Sequence, residues 1–156
     1  MKGLKIMEKI KSFTIDHTKL LCGMYISRVD DDIVTYDIRT RRPNVESAMD
    51  IAAAHTIEHL FATYIRNSEI GKSVIYFGPM GCRTGFYLLL RNTPHSVAIE
   101  QTKLAFDFIK DFKGDIPGAT AVECGNYLDH NLEGANKEAE KMSGILMDWN
   151  EHRLEY

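Results

Sequence analysis

Residues 48–67, AMDIAAAHTIEHLFATYIRN, contain no glycine or proline and are dense in good helix formers, which commits the middle of the chain to a helix. Read with its flanks, that helix spans 46–67. Before it lie two runs rich in β-branched and aromatic residues, CGMYISRV (22–29) and IVTYDIR (33–39), joined by the acidic turn DDD. After it lie SVIYFGPM (73–80) and GFYLLLR (85–91), joined by GCRT. Each pair reads as a β-hairpin. Residues 95–113 carry apolar side chains at near-helical spacing. Residues 132–149 look helical too, although Gly134 and Gly144 count against them. A helix between two hairpins, followed by two more helices, predicts an α+β fold: an antiparallel sheet with helices packed on one face. The 156 residues make a single domain able to bury about two thirds of its unfolded surface. Residues 1–11 read as an N-terminal extension, with Met7 an alternative start.

Composition removes several function classes. The chain has 19 Lys and Arg against 22 Asp and Glu, a net charge of −3. It contains no basic block, so neither nucleic acid nor an anionic membrane is expected as a partner. No apolar run approaches the ~20 residues of a membrane span, and the basic start lacks the apolar segment of a signal peptide. A cytoplasmic location is expected. Three cysteines, Cys22, Cys82 and Cys124, are an odd number for a reducing compartment, where each is a packed thiol, a ligand or a reactive group.

Within the central helix, HTIEHL places His55 and His59 within roughly 40° of each other, with Glu58 on the same side. Two imidazoles and a carboxylate on one patch describe either a polar helix face or part of a metal site. Cys124, 65 residues beyond His59, is either a buried small side chain or a third donor. As a donor it completes a three-ligand site with one open position, the catalytic arrangement, and Gly125 would let its backbone come close. Cys82, in PMGCRTG, sits at the tip of a tight turn beside Arg83. A thiol there has no core to pack into, and an adjacent cation favours the thiolate. Cys22, inside a strand, reads as an inert buried thiol.

The segments SFTIDHT (12–18), YDIRTRRPN (36–44), HTIEHL (55–60), GPMGCRTGFY (78–87) and ECGNYLDHNLEGA (123–135) together resemble the LuxS family of S-ribosylhomocysteine lyases. The resemblance implies cleavage of S-ribosylhomocysteine to homocysteine and 4,5-dihydroxy-2,3-pentanedione, the autoinducer-two precursor. It implies that His55, His59 and Cys124 hold one divalent metal per subunit, Fe(II), with Zn(II) or Co(II) as substitutes. The ligand set alone points to zinc. By the same resemblance Cys82 and Glu58 are the two acid/base groups, and Ser12, His17 and Arg39 contact the substrate. The family is homodimeric, with active sites at the interface and the SFTIDH segment reaching the neighbouring subunit's site. Three departures stand out. Thr40 and Arg41 replace Phe-Cys after DIR, Tyr76–Phe77–Gly78 replace Asp-Ile-Ser, and the link after His17 is several residues shorter. None falls on a ligand or a base.

Two rival functions use the same residues. H-x-x-E-H is also the inverzincin pattern, in which the glutamate of a zinc metallopeptidase activates a water. That class takes a downstream glutamate as third ligand and would leave Cys82 without a role. A structural metal module would need four ligands in short paired spacings, absent from this sequence.

Overall fold

The computed structural model describes residues 7–156, so residues 1–6 of the expected N-terminal extension lie outside the described residues. Strands β1 (Gly23–Asp30) and β2 (Ile33–Arg39) form the first hairpin, and β3 (Val74–Pro79) and β4 (Gly85–Arg91) the second. The sheet order is β1-β2-β4-β3, antiparallel throughout. Asp31 takes a left-handed conformation at the first turn (φ 53°), a backbone that aspartate tolerates better than most residues. Helices α1 (Ile51–Arg66), α2 (His95–Lys110) and α3 (Leu132–Leu146) complete the α+β fold.

Alternation along the strands decides which face the helices cover. Met24, Tyr36, Ile38, Phe86, Leu88 and Leu90 are buried on one face. Against them α1 lays Ile57, Leu60, Phe61 and Ile65, and Phe61 stacks on Phe77 with ring centroids 3.9 Å apart. The opposite face carries Tyr25, Ser27, Asp37, Arg39 and Tyr87. A 3-10 turn at Lys11–Phe13 opens the segment bordering it, since Ser12 and Ser27 line one hollow with Tyr87.

The three helices are shorter than the sequence suggests, each for a local reason. α1 begins at Ile51 rather than residue 46. Asp50 caps it, accepting from Ala53 N–H at 3.0 Å, and residues 46–49 are pulled away by other partners. Glu46 reaches Lys141 at 2.8 Å, and Met49 N–H donates to Arg83 O. α2 stops at Lys110 rather than 113, where Asn136 Nδ2 donates to the carbonyls of Ile109 and Phe112. α3 stops at Leu146 rather than 149, because Trp149 turns back onto β1. Its indole N–H donates to Met24 O at 2.9 Å. Its ring also lies so close over Gly23 that a Cβ there would meet it at 2.2 Å.

Candidate metal centre and active site

The core stripe of α1 leaves His55, Glu58 and His59 half-buried on another side of the helix. Two backbone carbonyls from the segment between α2 and α3 fix both rings. His55 Nδ1 lies 2.7 Å from Asp129 O, and His59 Nδ1 lies 2.8 Å from Pro117 O. A carbonyl only accepts, so each ring carries its hydrogen on Nδ1 and a bare lone pair on Nε2. The two Nε2 atoms face each other at 3.1 Å, and Cys124 Sγ lies 3.5 and 3.7 Å from them. Tetrahedral zinc-like bonds of roughly 2.1 Å to nitrogen and 2.3 Å to sulfur would separate such donors by about 3.3–3.6 Å. Lone pairs aimed at one another at this range repel unless a cation stands between them, so the three residues fit a divalent metal. Cys124 Sγ also accepts from Asn126 N–H at 3.4 Å.

Glycine matters here at a position the sequence did not single out. Gly118 has φ 73°, and a Cβ on it would press to 3.2 Å from His59 Nδ1; its lack of a side chain brings the Pro117 carbonyl up to the ring. Gly125 does not serve the close approach expected of it, because a Cβ there would meet open space.

His130 joins the cluster without having been anticipated. The four donor atoms of His55, His59, Cys124 and His130 lie within 4.8 Å of one another. Thr56 Oγ1 gives its hydrogen to Ala52 O at 2.9 Å, so at 2.9 Å from His130 Nδ1 it acts as acceptor. His130 therefore also presents a bare Nε2, buried and unpartnered among the described residues. Its ring stacks on His55, centroids 4.2 Å apart and planes 19° from parallel. In-plane lone pairs of nearly parallel rings do not meet at one nearby ion, so in this rotamer His130 stands beside the His55–His59–Cys124 set as an outer acceptor. Burial, then His55 and His59, lower its basicity below the ordinary histidine range, which keeps that acceptor neutral. Nothing in the spacing marks it: it follows Cys124 by six residues and reaches the site only because α3 begins at Leu132.

Glu58 is absent from that donor group. It lines a cavity of about 370 Å³ with Ile51, Ala54, His55, Met80 and Gly81. Cys82 opens onto a second cavity of about 470 Å³, lined also by Ser12, His17, Arg39, Thr84 and Tyr87. The two share only Met80 and Gly81. Within one chain, then, the expected substrate contacts gather around Cys82, while Glu58 shares the other cavity with His55.

Cys82 is exposed, as expected for a thiol at a turn tip. The cation tied to it is not the one expected. Arg83 holds a left-handed backbone (φ 58°) and donates to Met49 O at 3.2 Å. Arg39 lies beneath instead, 2% exposed, gripped by both oxygens of Asp37 at 3.1 and 2.6 Å. Its Nη1 donates to Thr84 Oγ1 at 2.8 Å, and Thr84 Oγ1 lies 3.0 Å from Cys82 Sγ. Cys22 is half-buried against Glu46, and burial raises its thiol pKa, in keeping with an inert role. The departing residues serve packing. Thr40 is fully buried and bonds Thr84 O at 3.2 Å, and Arg41 pairs with Glu138.

A profile of the S-ribosylhomocysteinase (LuxS) family matches residues 10–153. An S-ribosylhomocysteine lyase of Clostridium acetobutylicum is 49% identical over 157 residues, covering 96% of this chain and 99% of that protein. One of Clostridium beijerinckii is 50% identical over 158 residues, and one of Borreliella burgdorferi 47% over 156, each with the same coverage. The zinc-peptidase reading loses its support, since the donor facing the two helical imidazoles is a thiolate residue rather than a glutamate. The chain belongs to the LuxS family of S-ribosylhomocysteinases.

Proposed function

We propose that the chain is an S-ribosylhomocysteine lyase that releases L-homocysteine and 4,5-dihydroxy-2,3-pentanedione. The observation that carries this reading is the convergence of His55, His59 and Cys124 donors beside the uncommitted carboxylate of Glu58, in a chain of this family. The thioether sulfur is not activated toward departure while the sugar carbonyl stands at C1. Moving that carbonyl to C2 shifts a proton from C2 to C1, and moving it to C3 shifts another from C3 to C2. Removal of the C4 proton then forms a C4–C5 double bond as the C5–S bond breaks, its electron pair leaving on sulfur as the homocysteine thiolate. The resulting enol takes a proton at C5 to give the dione.

Cys82 and Glu58 are the proton carriers of this reading, since each carbon-bound proton must be taken up and returned by a group within hydrogen-bond reach. His55, His59 and Cys124 hold one divalent ion, which supplies Lewis acidity to the sugar oxygens. Fe(II) is the metal proposed, with Zn(II) or Co(II) as replacements. Ser12, His17 and Arg39 bind the substrate, the first two through polar groups at the mouth of the Cys82 cavity and Arg39 from its buried floor.

The working unit of this reading is a homodimer. Cys82 opens onto one cavity of a single chain, and Glu58 and the metal donor His55 onto another, so a substrate bridging both kinds of group is best served by two subunits. The sheet face without helices and the 3-10 turn bordering it offer exposed aromatic side chains for such a contact, Tyr76 (51% exposed) and Phe13 (68%). The function is tested by following thiol release from S-ribosylhomocysteine beside casein cleavage. Homocysteine release with casein untouched is expected, and casein cleavage without thiol release would overturn the reading.

A further inference from the structure

Thr84 sits between the buried guanidinium of Arg39 and the exposed Cys82. Tyr156 stacks on Tyr25, centroids 5.1 Å apart, and donates its hydroxyl to Asp37 Oδ2 at 2.6 Å. Asp37, fully buried, holds the Arg39 guanidinium through Nε and Nη2. That leaves Nη1 to donate to Thr84 Oγ1 at 2.8 Å. A guanidinium has donors only, so Thr84 must accept from it. The threonine's own hydrogen then needs an acceptor, and Cys82 Sγ at 3.0 Å is the one its side chain meets among the described residues.

We infer that Thr84 is a positioning residue for the lyase reaction: its hydroxyl donates to Cys82 Sγ, favours the thiolate, and aims that sulfur into the cavity shared with Ser12 and His17. This rests on the proposed role of Cys82 as a proton carrier. Asp37 accepts from both Tyr156 and Arg39, which fixes the guanidinium so that Nη1 is turned to Thr84. Thr84 is 7% exposed, so its hydroxyl is shielded from competing water, and a hydrogen bond to a charged acceptor is worth more there than in solvent. Other groups face Cys82 without reaching its sulfur by a hydrogen bond among the described residues. Tyr87 on β4 and His17 line the same cavity, Asp37 lies behind Arg39, and Arg83 is turned to Met49 O. Pro43, Asn44 and Ala48 from the facing loop carry no charge.

The test reads the sulfur directly, without turnover. The rate of Cys82 alkylation is measured against pH in the metal-loaded protein carrying Cys22→Ser, with labelling located by peptide mapping. Thr84→Val should move the midpoint of that profile up by about one pH unit and slow labelling at neutral pH about tenfold. Thr84→Ser should restore both. Where the valine variant does not fold, as judged by circular dichroism and metal content, Thr84→Ala is read in its place. A midpoint unchanged in the variant, or one that serine fails to restore, overturns the inference. The proposed role of Cys82 is tested separately by loss of homocysteine release in Cys82→Ala. A Thr84 effect on alkylation in an enzyme that does not need Cys82 would leave the hydrogen bond standing and remove only its catalytic use.

Discussion

At the scale of single residues, the site is a set of lone pairs made available by hydrogen bonds elsewhere. Pro117 O and Asp129 O hold the Nδ1 hydrogens of His59 and His55, and Thr56 does the same for His130. His59→Ala removes one of three close donors and should abolish retention of the metal during gel filtration against a chelator. Thr56→Val spares all three donors but frees the His130 ring. Because His130 stands outside the donor set, that variant should still retain the metal in the same chelator test, whereas its loss there would make His130 a ligand. Glu58→Gln should keep one equivalent of metal and lower homocysteine release by at least about 100-fold, the range of a lost general base. Metal lost from that variant would make Glu58 a ligand. The sequence made the helical histidines legible because their spacing follows from helix geometry. It made Cys124 legible as a candidate because a two-histidine site lacks a donor. His130 and Thr84 stayed hidden. Each matters through a neighbour's hydrogen bond, and such bonds have no fixed sequence spacing.

At the scale of elements, the sheet was readable in detail because alternation and turn residues are local signals. The helix ends were not, because long-range partners decide them. Residues 46–49 have helix-compatible side chains but are drawn to α3 and to the Cys82 turn. Asp50 shows how the true start is enforced: one carboxylate oxygen caps α1 and also meets Asn131 Nδ2 at 3.2 Å, joining the starts of α1 and α3. Asp50→Ala should lower unfolding free energy by about 1 kcal/mol in urea titrations. The 46–49 segment has a pH signature of its own. Burial would raise the Glu46 pKa, but Lys141 and the Arg42 N–H outweigh it and hold the carboxyl down to about 2. A depressed carboxyl contributes stability that is complete above its unfolded value and is lost as pH falls through its folded one. Glu46 therefore stabilises the fold above pH 4.5 and loses that contribution down to about 2. Glu46→Gln should flatten the acid limb of the stability profile there by about 1 kcal/mol, allowing for solvent screening.

At the scale of the whole molecule, the proposed homodimer, with each site drawing on both subunits, predicts complementation. Cys82→Ala and His59→Ala homodimers should each be inactive, yet mixing them through an unfolding and refolding cycle should restore activity. One of the two sites in a mixed dimer then draws intact Cys82 from one chain and intact ligands from the other. Restored turnover with a dimer mass in sedimentation is the expected result. Among the described residues no helix is long and apolar enough to cross a membrane. The placement of Cys124 has one more consequence. It lies in an irregular segment between α2 and α3, and the ion would join that segment to α1 across 65 residues of chain. Such a joint works as a removable cross-link, closing a long loop whose entropy the unbound chain would regain. Taking the metal away should therefore loosen residues 111–131 before it loosens the sheet, and a protease should cut there first.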